Sequence, residues 1–509
     1  MPTVVNGEGR RPYAGVGASP PGGRKHGPPL RSCADYPVEG DKRLPDLRSA
    51  LEAAGLRDGM TLSTHHHLRD GDRMAVAALR TAAEMGVRDL RWFPSASFPC
   101  QEPVVDLMKQ GVVHHIEGSM NGPLGDFASR GGMAGLGVLR SHGGRWQAIQ
   151  DGEVHVDVAV IAAPTADPFG NANGSHGPSA CGSLGFALAD SLYADRVIVV
   201  TDHLVPFPCV PWQIAGNDVD FVVEVDSIGD PERIVSGTTR ITRSPDRQLI
   251  AEYVARFLRD AGIMRDGFSF QAGAGGIALA FVQYLRAMMR EAGVKARFVR
   301  GGSTTYLVEL LREGLTDYIL DGQTFDLAAV ESIASDPRHV PTSPFTSYNW
   351  HGKGNFASMV DAVVLGATEV DLDFRANVVT HSDGLMLHGI GGWQNCLFSG
   401  CTILAVPSFR DRIPVIVDEV TTVCGPSELI DVIVTERGVA INPRREDLLD
   451  AVGGSDLPVR PLAEIKAEVE GMVGGPPQPP RVTDRPVAVV NWVDGTVLDT
   501  VWQVEEGTP

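Results

Sequence analysis

Apolar and polar positions alternate along most of the chain with two different periods. Stretches with an apolar face every three to four residues predict helices near 46–55, 72–85, 247–261, 276–292, 304–314, 324–335 and 461–472. Short β-branched runs predict strands at 155–164, 195–202, 220–226, 296–301, 359–371, 402–408 and 430–442. This alternation of strands and helices predicts an α/β fold with largely parallel sheets.

The two ends of the chain follow different patterns. Residues 1–40 are dense in Gly, Pro and Arg and have no apolar period, which predicts a disordered leader. Near the other end, Asp494-Gly495 separates two alternating runs. That arrangement is typical of a β-hairpin, so we expect a small antiparallel addition there.

An internal repeat relates two distant segments. Residues 156–173 match residues 360–377 without gaps at an offset of 204. The identical pairs are Val156/Val360, Asp157/Asp361, Val160/Val364, Ala163/Ala367, Asp167/Asp371, Ala172/Ala376 and Asn173/Asn377. The repeat predicts two related α/β halves that join near 235–248, with a cleft between them where a site could form. We therefore expect a leader at 1–40, a first domain at 41–240 and a second domain, carrying the hairpin, at 241–509.

Composition agrees with a globular chain of more than one domain. The chain has 509 residues, of which 43% are hydrophobic and 21% charged, as in soluble proteins. No apolar run is long enough for a membrane helix, and the N-terminus has no secretory signal pattern. We therefore expect a cytoplasmic protein that does not bind a membrane.

Charge limits the partners that the chain could bind. The formal net charge of −19 disfavours nucleic acid, and an anionic substrate would need cations placed locally. Only six of the 44 Lys and Arg residues are lysine, so arginine would supply most of these cations.

The seven cysteines form no CxxC pair and no HExxH motif is present, so we expect neither a disulfide framework nor a metal.

Glycine clusters stand where strand patterns meet helix patterns. They lie at 121–125, 143–144, 170–174, 273–276, 301–302, 382–384 and 389–392. Glycine allows a backbone to approach a ligand, and N–H groups at a helix start can bind an anion or oxyanion. Tight turns alone are the alternative. A dinucleotide site at 273–276 is disfavoured because Ala278 stands where a third glycine is required.

Two further sets of residues could carry chemistry. His65, His66 and His67 are followed closely by Arg69, and adjacent histidines on a strand cannot all face one metal. This run could be a mobile surface loop or an anion-binding loop. Glu369 and Glu419 could act as covalent nucleophiles, or as ordinary structural carboxylates.

Six segments together resemble the alpha subunit of bacterial citrate lyase, the citrate CoA-transferase. They are HHHLRDGD (65–72), SHGGR (141–145), DPFGNANG (167–174), FSFQAGAGG (268–276), THSDG (380–384) and VTERGVAINP (434–443). The resemblance extends from about residue 44 to residue 504. It implies two similar CoA-transferase-type domains that convert acetyl-carrier and citrate to citryl-carrier and acetate.

The resemblance also implies partners. The carrier is a separate gamma subunit, an acyl carrier protein with a phosphoribosyl-dephospho-CoA arm, and a beta subunit cleaves citryl-carrier to oxaloacetate. The chain would thus belong to a hetero-oligomer and bind no cofactor covalently. Free CoA thioesters could replace the carrier. Another acid such as malonate, or a non-catalytic scaffold of the same fold, remains an alternative.

Site roles follow from the same resemblance. Gly301 stands where covalent relatives place a glutamate, which implies direct attack of the acid on the thioester. The glycines expected to assist catalysis with backbone N–H groups are Gly273, Gly275, Gly276, Gly301 and Gly302. Substrate binding is expected at Gly389, Gly391, Gly392, Ser382 and Asp383. Citrate is expected to meet cations at His65, His66, His67 and Arg69.

Overall fold

The computed structural model describes residues 37–234, 240–349 and 352–505. Residues 1–36 of the predicted leader and residues 235–239 of the predicted join lie outside the described residues. The described chain is an α/β protein with two large, mostly parallel sheets, as the alternating pattern predicts. No helix in the described ranges is both long and apolar enough to cross a membrane.

The described chain contains 25 strands. Those of the first half and of the closing segment form one large sheet and a separate two-stranded sheet of β7 and β8. Those of the first half are β1 (Arg43–Leu44), β2 (Thr61–Thr64), β3 (Leu90–Pro94), β4 (Val113–Gly118), β5 (Gly137–Leu139), β6 (Val158–Ala162), β7 (Thr165–Ala166), β8 (Ala172–Asn173), β9 (Arg196–Thr201) and β10 (Phe221–Glu224). Those of the second half are β11 (Ser269–Ala272), β12 (Phe298–Ser303), β13 (Ile319–Thr324), β14 (His339–Pro341), β15 (Ala362–Leu365), β16 (Glu369–Asp371), β17 (Ala376–Asn377), β18 (Thr402–Ala405), β19 (Phe409–Arg410), β20 (Ile413–Pro414), β21 (Ile416–Val417), β22 (Val432–Thr435) and β23 (Gly438–Ile441). The closing segment contains β24 (Val482–Asn491) and β25 (Val497–Val504).

Helices cover the faces of both sheets. They are α1 (Leu47–Ala53), α2 (Met74–Glu84), α3 (Val104–Lys109), α4 (Pro123–Ser129), α5 (His142–Asp151), α6 (Leu188–Tyr193), α7 (Pro245–Asp260), α8 (Gly276–Ala292), α9 (Thr305–Arg312), α10 (Leu327–Ser335), α11 (Pro344–Tyr348), α12 (Trp393–Cys396), α13 (Glu446–Val452) and α14 (Leu462–Val473). Every helix predicted from the apolar period is present. Their buried faces form two large hydrophobic clusters. One lies within the second half, and the other combines residues of both halves, such as Leu62 and Leu404.

The first sheet has the order β1-β10-β9-β6-β2-β3-β4-β5-β24-β25. The hairpin predicted around Asp494-Gly495 is confirmed, because β24 and β25 pair in antiparallel fashion. However, β24 also pairs in parallel with β5, through contacts such as Val138 with Val489. The closing hairpin therefore belongs to the first sheet, whereas its position in the chain led us to assign it to the second domain. It covers the edge that β5 would otherwise leave unpaired.

The second sheet has the order β14-β13-β12-β11-β15-β18-β22-β23. Its strands are parallel except for β23, which pairs with β22 in antiparallel fashion. The strands β11, β12, β13, β15 and β18 carry their carboxyl ends along one edge of this sheet. In α/β proteins such an edge is where ligands commonly bind.

The internal repeat corresponds to a repeated local structure. The units β6–β7–β8 and β15–β16–β17 follow the same order at the same offset. Asp167 Oδ1 accepts a hydrogen bond from the backbone N–H of Phe169, and Asp371 Oδ1 accepts one from that of Asp373. The amides of Asn173 and Asn377 each accept a hydrogen bond from the N–H two residues further on. The identities thus include the side chains that form these turns.

Candidate active site

Two adjacent cavities lie at the carboxyl edge of the second sheet. The larger has a volume of about 730 Å³ and the smaller of about 200 Å³. They share the lining residues Gly273, Ala274, Leu365, Ile390 and Trp393. The first half closes the smaller cavity with His142 and Phe186. The cleft predicted between the two halves is therefore present.

The glycine loop after β11 and the first turn of α8 line the larger cavity. The strand ends at Ala272, and α8 begins at Gly276 after the N-cap residue Gly275, which has no side chain to cap the helix. The first N–H groups of a helix have no acceptor within it and carry a partial positive charge. Residues 273–278 all line the cavity, so this helix start is suited to bind an anion or an oxyanion.

Arginines from three separate segments line the same cavity. They are Arg240, Arg247 and Arg410, and none of them pairs with a carboxylate within the described part of the chain. Arg410 donates hydrogen bonds to the carbonyl oxygens of Thr368 at 2.8 Å and Ala367 at 2.7 Å. Burial, and then the charge of Arg247, lower the pKa of Arg410. This cluster supplies the local positive charge that the acidic net charge led us to expect.

Neither cavity is lined by a described Asp or Glu side chain. Glu369 is 4% exposed and accepts hydrogen bonds from Asn377 Nδ2 and from the N–H of Thr421, both at 2.9 Å. Burial raises the pKa of Glu369. The side chain of Glu419 is 63% exposed. Both positions fit a structural or surface carboxylate better than a nucleophile in the cleft.

Gly301 has a backbone conformation that a glutamate would rarely adopt. Its φ of +103° lies in a region that side chains disfavour, and an added Cβ would lie 2.9 Å from Gln271 Cγ. Gly301 and Gly302 both line the smaller cavity. Because Gly301 needs glycine for both reasons, the cleft is closed to a carboxylate side chain at this position.

The histidine run that follows β2 is buried and not on the surface. His65, His66 and His67 are each at most 5% exposed, which excludes the mobile surface loop considered above. His65 Nε2 lies 3.0 Å from Asp190 Oδ2, and its ring stacks on that of His67. Arg145 donates two hydrogen bonds of 2.8 Å to the same carboxylate. Burial raises the pKa of Asp190, but the charges of Arg145 and then His65 hold it well below its usual range.

His66 contacts the cavity wall from behind. Its ring packs on His142 and Phe186, and its Nδ1 lies 2.6 Å from Ser95 Oγ. Burial lowers the pKa of His66 and His67 well below the usual value, and that of His142 to about 3. These three rings are therefore neutral at pH 7. The hypothesis that the run supplies cations for citrate is not supported at His66 and His67.

Arg69 lies one layer behind the smaller cavity. Its guanidinium carbon is 4.3 Å from the ring centroid of Phe325, which lines the cavity, and 5.2 Å from that of Phe98. Burial lowers the pKa of Arg69 to about 10, so the side chain still carries its charge at pH 7.

The structure brings most of the predicted site glycines together. Gly273, Gly275, Gly276 and Gly389 line the larger cavity, and Gly273, Gly301, Gly302 and Gly392 line the smaller one. Gly391 lies between these loops, with its carbonyl accepting a hydrogen bond from the His142 N–H at 2.8 Å. Ser382 and Asp383 line neither cavity, although the neighbouring His381 lines the larger one. The chemical roles assigned to all of these residues stay predictions.

Sequence reasoning missed the arginines. Arg240, Arg247 and Arg410 stand in segments without a motif, so only the fold reveals that they meet. His142 begins α5 in the quoted motif SHGGR, but no role was assigned to it from the sequence. The sequence feature that could have pointed to His142 is the helix start in small residues, with Ser141 as the N-cap.

Comparisons with known proteins agree with one another. The profile of the citrate lyase alpha-subunit family (CitF) matches residues 41–504. The citrate lyase alpha chain of Haemophilus influenzae is 40% identical over 462 residues, 90% of this chain and 92% of that protein. That of Klebsiella pneumoniae is 39% identical over 501 residues, 98% of this chain and 96% of that protein. The solved alpha subunit of citrate lyase from Streptococcus mutans, in complex with citrate, has a TM-score of 0.90 and 40% identity, covering 96% of this chain and 94% of that one.

The buried carboxylate of Asp190, which contacts both His65 and Arg145, gives a test of whether this network stabilises the fold. We expect Asp190→Asn to lower the free energy of unfolding by about 3 kcal/mol or more, because it leaves Arg145 buried without its carboxylate. The exposed Asp195, which also faces a histidine, is the matched control, and Asp195→Asn is expected to cost no more than ~1 kcal/mol. Urea unfolding of both variants measures the difference. Equal losses would contradict a structural role for the buried network.

Proposed function

The chain belongs to the citrate lyase alpha-subunit family, and from that premise we propose that it exchanges acetyl for citryl on an acyl-carrier thioester. The reaction is acetyl-carrier plus citrate giving citryl-carrier plus acetate. The solved relative from Streptococcus mutans contains citrate, which supports citrate as the acid. Cleavage of citryl-carrier to oxaloacetate then falls to a separate subunit.

One observation carries the proposed mechanism: the cleft offers glycine backbone and arginines, and no described carboxylate lines it. CoA-transfer through an acyl-enzyme needs a carboxylate nucleophile at the thioester. Gly301, at the position where we align that glutamate, has φ +103° and packs on Gln271. We therefore propose that citrate itself is the nucleophile.

The bonds balance without a covalent enzyme intermediate. A citrate carboxylate oxygen attacks the acetyl carbonyl, the carbon–sulfur bond breaks, and the carrier leaves as a thiolate. The product is a mixed anhydride of acetate and citrate. The thiolate then attacks the citryl carbonyl of that anhydride and releases acetate, which keeps the bridging oxygen.

The residues of the cleft contribute position and electrostatics. The N–H groups at the start of α8 suit the oxyanion that forms on the thioester carbonyl, where one donor typically contributes ~3–4 kcal/mol. Holding both acyl partners together contributes up to about 7–11 kcal/mol when they are well aligned. His142 and Phe186 cover the smaller cavity and restrict water, which would otherwise hydrolyse the anhydride.

The two cavities suit two different parts of the reaction. The larger cavity, with Arg240, Arg247 and Arg410, fits the phosphate-bearing phosphoribosyl-dephospho-CoA arm of a carrier subunit. The smaller cavity fits the acid. In this proposal the chain binds no cofactor covalently, and it works in a hetero-oligomer with the carrier (gamma) and citryl-cleaving (beta) subunits.

Gly275 gives a direct test of the helix start. A Cβ built at Gly275 meets nothing within 4 Å, and its φ of −73° suits any residue. We expect Gly275→Val to fold normally and to lower kcat for acetyl–citryl exchange about 100-fold or more, because the side chain fills the space before the N–H groups. Gly454→Val, at another open glycine outside both cavities, is the control and should exchange normally. Normal exchange by Gly275→Val would instead favour a scaffold.

The absence of an acyl-enzyme can be tested by trapping. The full chain is incubated with acetyl thioester without citrate, treated with hydroxylamine or borohydride, and its peptides are analysed by mass spectrometry. We expect no modified glutamate, because no described carboxylate reaches the cleft. A labelled Glu369 or Glu419 would contradict the direct-attack mechanism. A CoA-transferase that forms a glutamyl intermediate serves as the positive control.

A further inference from the structure

A buried arginine without a carboxylate partner lies beside the smaller cavity. Arg300, on β12, is 1% exposed, and it forms no ion pair with any described residue. Its Nη1 donates a hydrogen bond of 2.6 Å to Gln271 Oε1, and its guanidinium carbon is 4.9 Å from the Tyr348 ring centroid. Its Nε and Nη2 atoms are buried without a hydrogen-bond acceptor. Arginine cannot lose its proton at neutral pH, so the charge persists.

Two other buried arginines of the described chain, Arg140 and Arg145, are paired with carboxylates. Arg140 contacts Glu117 at 3.1 Å and Glu153 at 2.8 Å, and Arg145 contacts Asp190 at 2.8 Å. A buried cation with orphaned N–H groups destabilises a folded protein, because desolvation is not repaid by a partner. Arg300 therefore differs from the arginines that hold the fold together, and its missing counter-ion points to a bound anion.

The side chains around Arg300 form one wall of the smaller cavity. Gln271, Tyr348 and Cys396 all line it. Gln271 Nε2 lies 2.9 Å from Cys396 Sγ, and the Tyr348 hydroxyl lies 3.8 Å from the same sulfur. The guanidinium thus stands directly behind a wall of polar side chains. No described acidic residue lines this cavity, so its electrostatic field is not neutralised from within.

We propose that Arg300 is the counter-charge for a carboxylate of the incoming acid other than the one that reacts, so that it selects polycarboxylic over monocarboxylic acids. This inference rests on the proposed function. The non-reacting carboxylate lies against the wall of Gln271 and Tyr348, within the field of the guanidinium. Burial, and next the Cys396 thiol, raise the pKa of Tyr348 to about 12, so its hydroxyl stays protonated and can donate to the carboxylate.

The selection also acts on the products. Acetate has a single carboxylate, so it cannot occupy the reacting position and compensate Arg300 at once. Citrate can do both. An acid without the second charge leaves Arg300 as it is in the free protein, and binds with a correspondingly lower affinity. The same residue therefore favours citrate on entry and acetate on release.

Arg300→Met, Arg300→Lys and the control Arg297→Met test this role in the full chain. Arg297 is the exposed arginine three residues earlier, with its guanidinium near Phe298. We expect Arg300→Met to raise KM for citrate about 100-fold or more, with KM for the acetyl thioester unchanged. Arg300→Lys should restore part of the loss because it keeps a charge. Arg297→Met should leave both KM values unchanged.

Thermal unfolding separates binding from a structural role. Without citrate, Arg300→Met is expected to unfold at the wild-type temperature or above, because removing an unpaired buried charge relieves its cost. Citrate should raise the unfolding temperature of the wild type and not that of Arg300→Met. A loss of stability without citrate, or an equal shift with citrate, would overturn the proposal.

Gln271→Glu provides a second variant with nearly the same shape. The new carboxylate would pair with Arg300 Nη1, where Gln271 Oε1 now accepts a hydrogen bond, and neutralise the charge from within. We expect it to fold and to raise KM for citrate as Arg300→Met does. Wild-type KM for citrate in either variant would overturn the role of Arg300 while leaving the exchange reaction intact. A wild-type chain that exchanges no citrate would instead overturn the proposed function.

Discussion

Close packing of neighbouring segments against glycines is the constraint on which this site depends. A Cβ at Gly143 would overlap Asn395 and lie 2.6 Å from Tyr348 Cβ, and one at Gly389 would overlap Ser119 across the same interface. The N–H of Gly143 donates to Asn395 Oδ1 at 2.9 Å, which locks the start of α5 onto α12. The glycines thus do more than offer N–H groups to a substrate. They let the first half close the cleft at the carboxyl edge of the second sheet.

Within that cleft the charge distribution opposes that of the whole protein. The chain has a net charge of −19, yet Arg240, Arg247 and Arg410 face the larger cavity without carboxylate partners among the described residues. Burial, and then repulsion from Arg247, lower the pKa of Arg410. The arrangement of the three arginines is favourable once a polyanion binds. A site without its own carboxylates therefore suits a reaction in which both substrates carry negative charge and no acidic side chain takes part.

The sequence predicted local structure well and long-range contacts poorly. The helices, the hairpin at Asp494-Gly495 and the repeat of 156–173 in 360–377 all follow from short-range periods and turn chemistry. The pairing of β24 with β5 could not be predicted, because it joins strands more than 300 residues apart. The burial of the histidine run could not be predicted for the same reason, since it depends on contacts with Asp190 and Phe186. Arg300 stood beside the noted Gly301, but only the fold shows that no described Asp or Glu pairs with it.

The origin of the oxygen in acetate tests direct transfer most directly. Citrate labelled with ¹⁸O in its carboxylates is mixed with acetyl-carrier and an excess of the enzyme, so that each active site turns over once. If citrate attacks the thioester itself, the acetate of this first turnover carries one ¹⁸O atom, because the bridging oxygen of the anhydride stays with acetate. If a glutamate attacks first, this acetate is unlabelled and the ¹⁸O appears in a protein carboxylate. The cleft described here predicts labelled acetate; unlabelled acetate would contradict it.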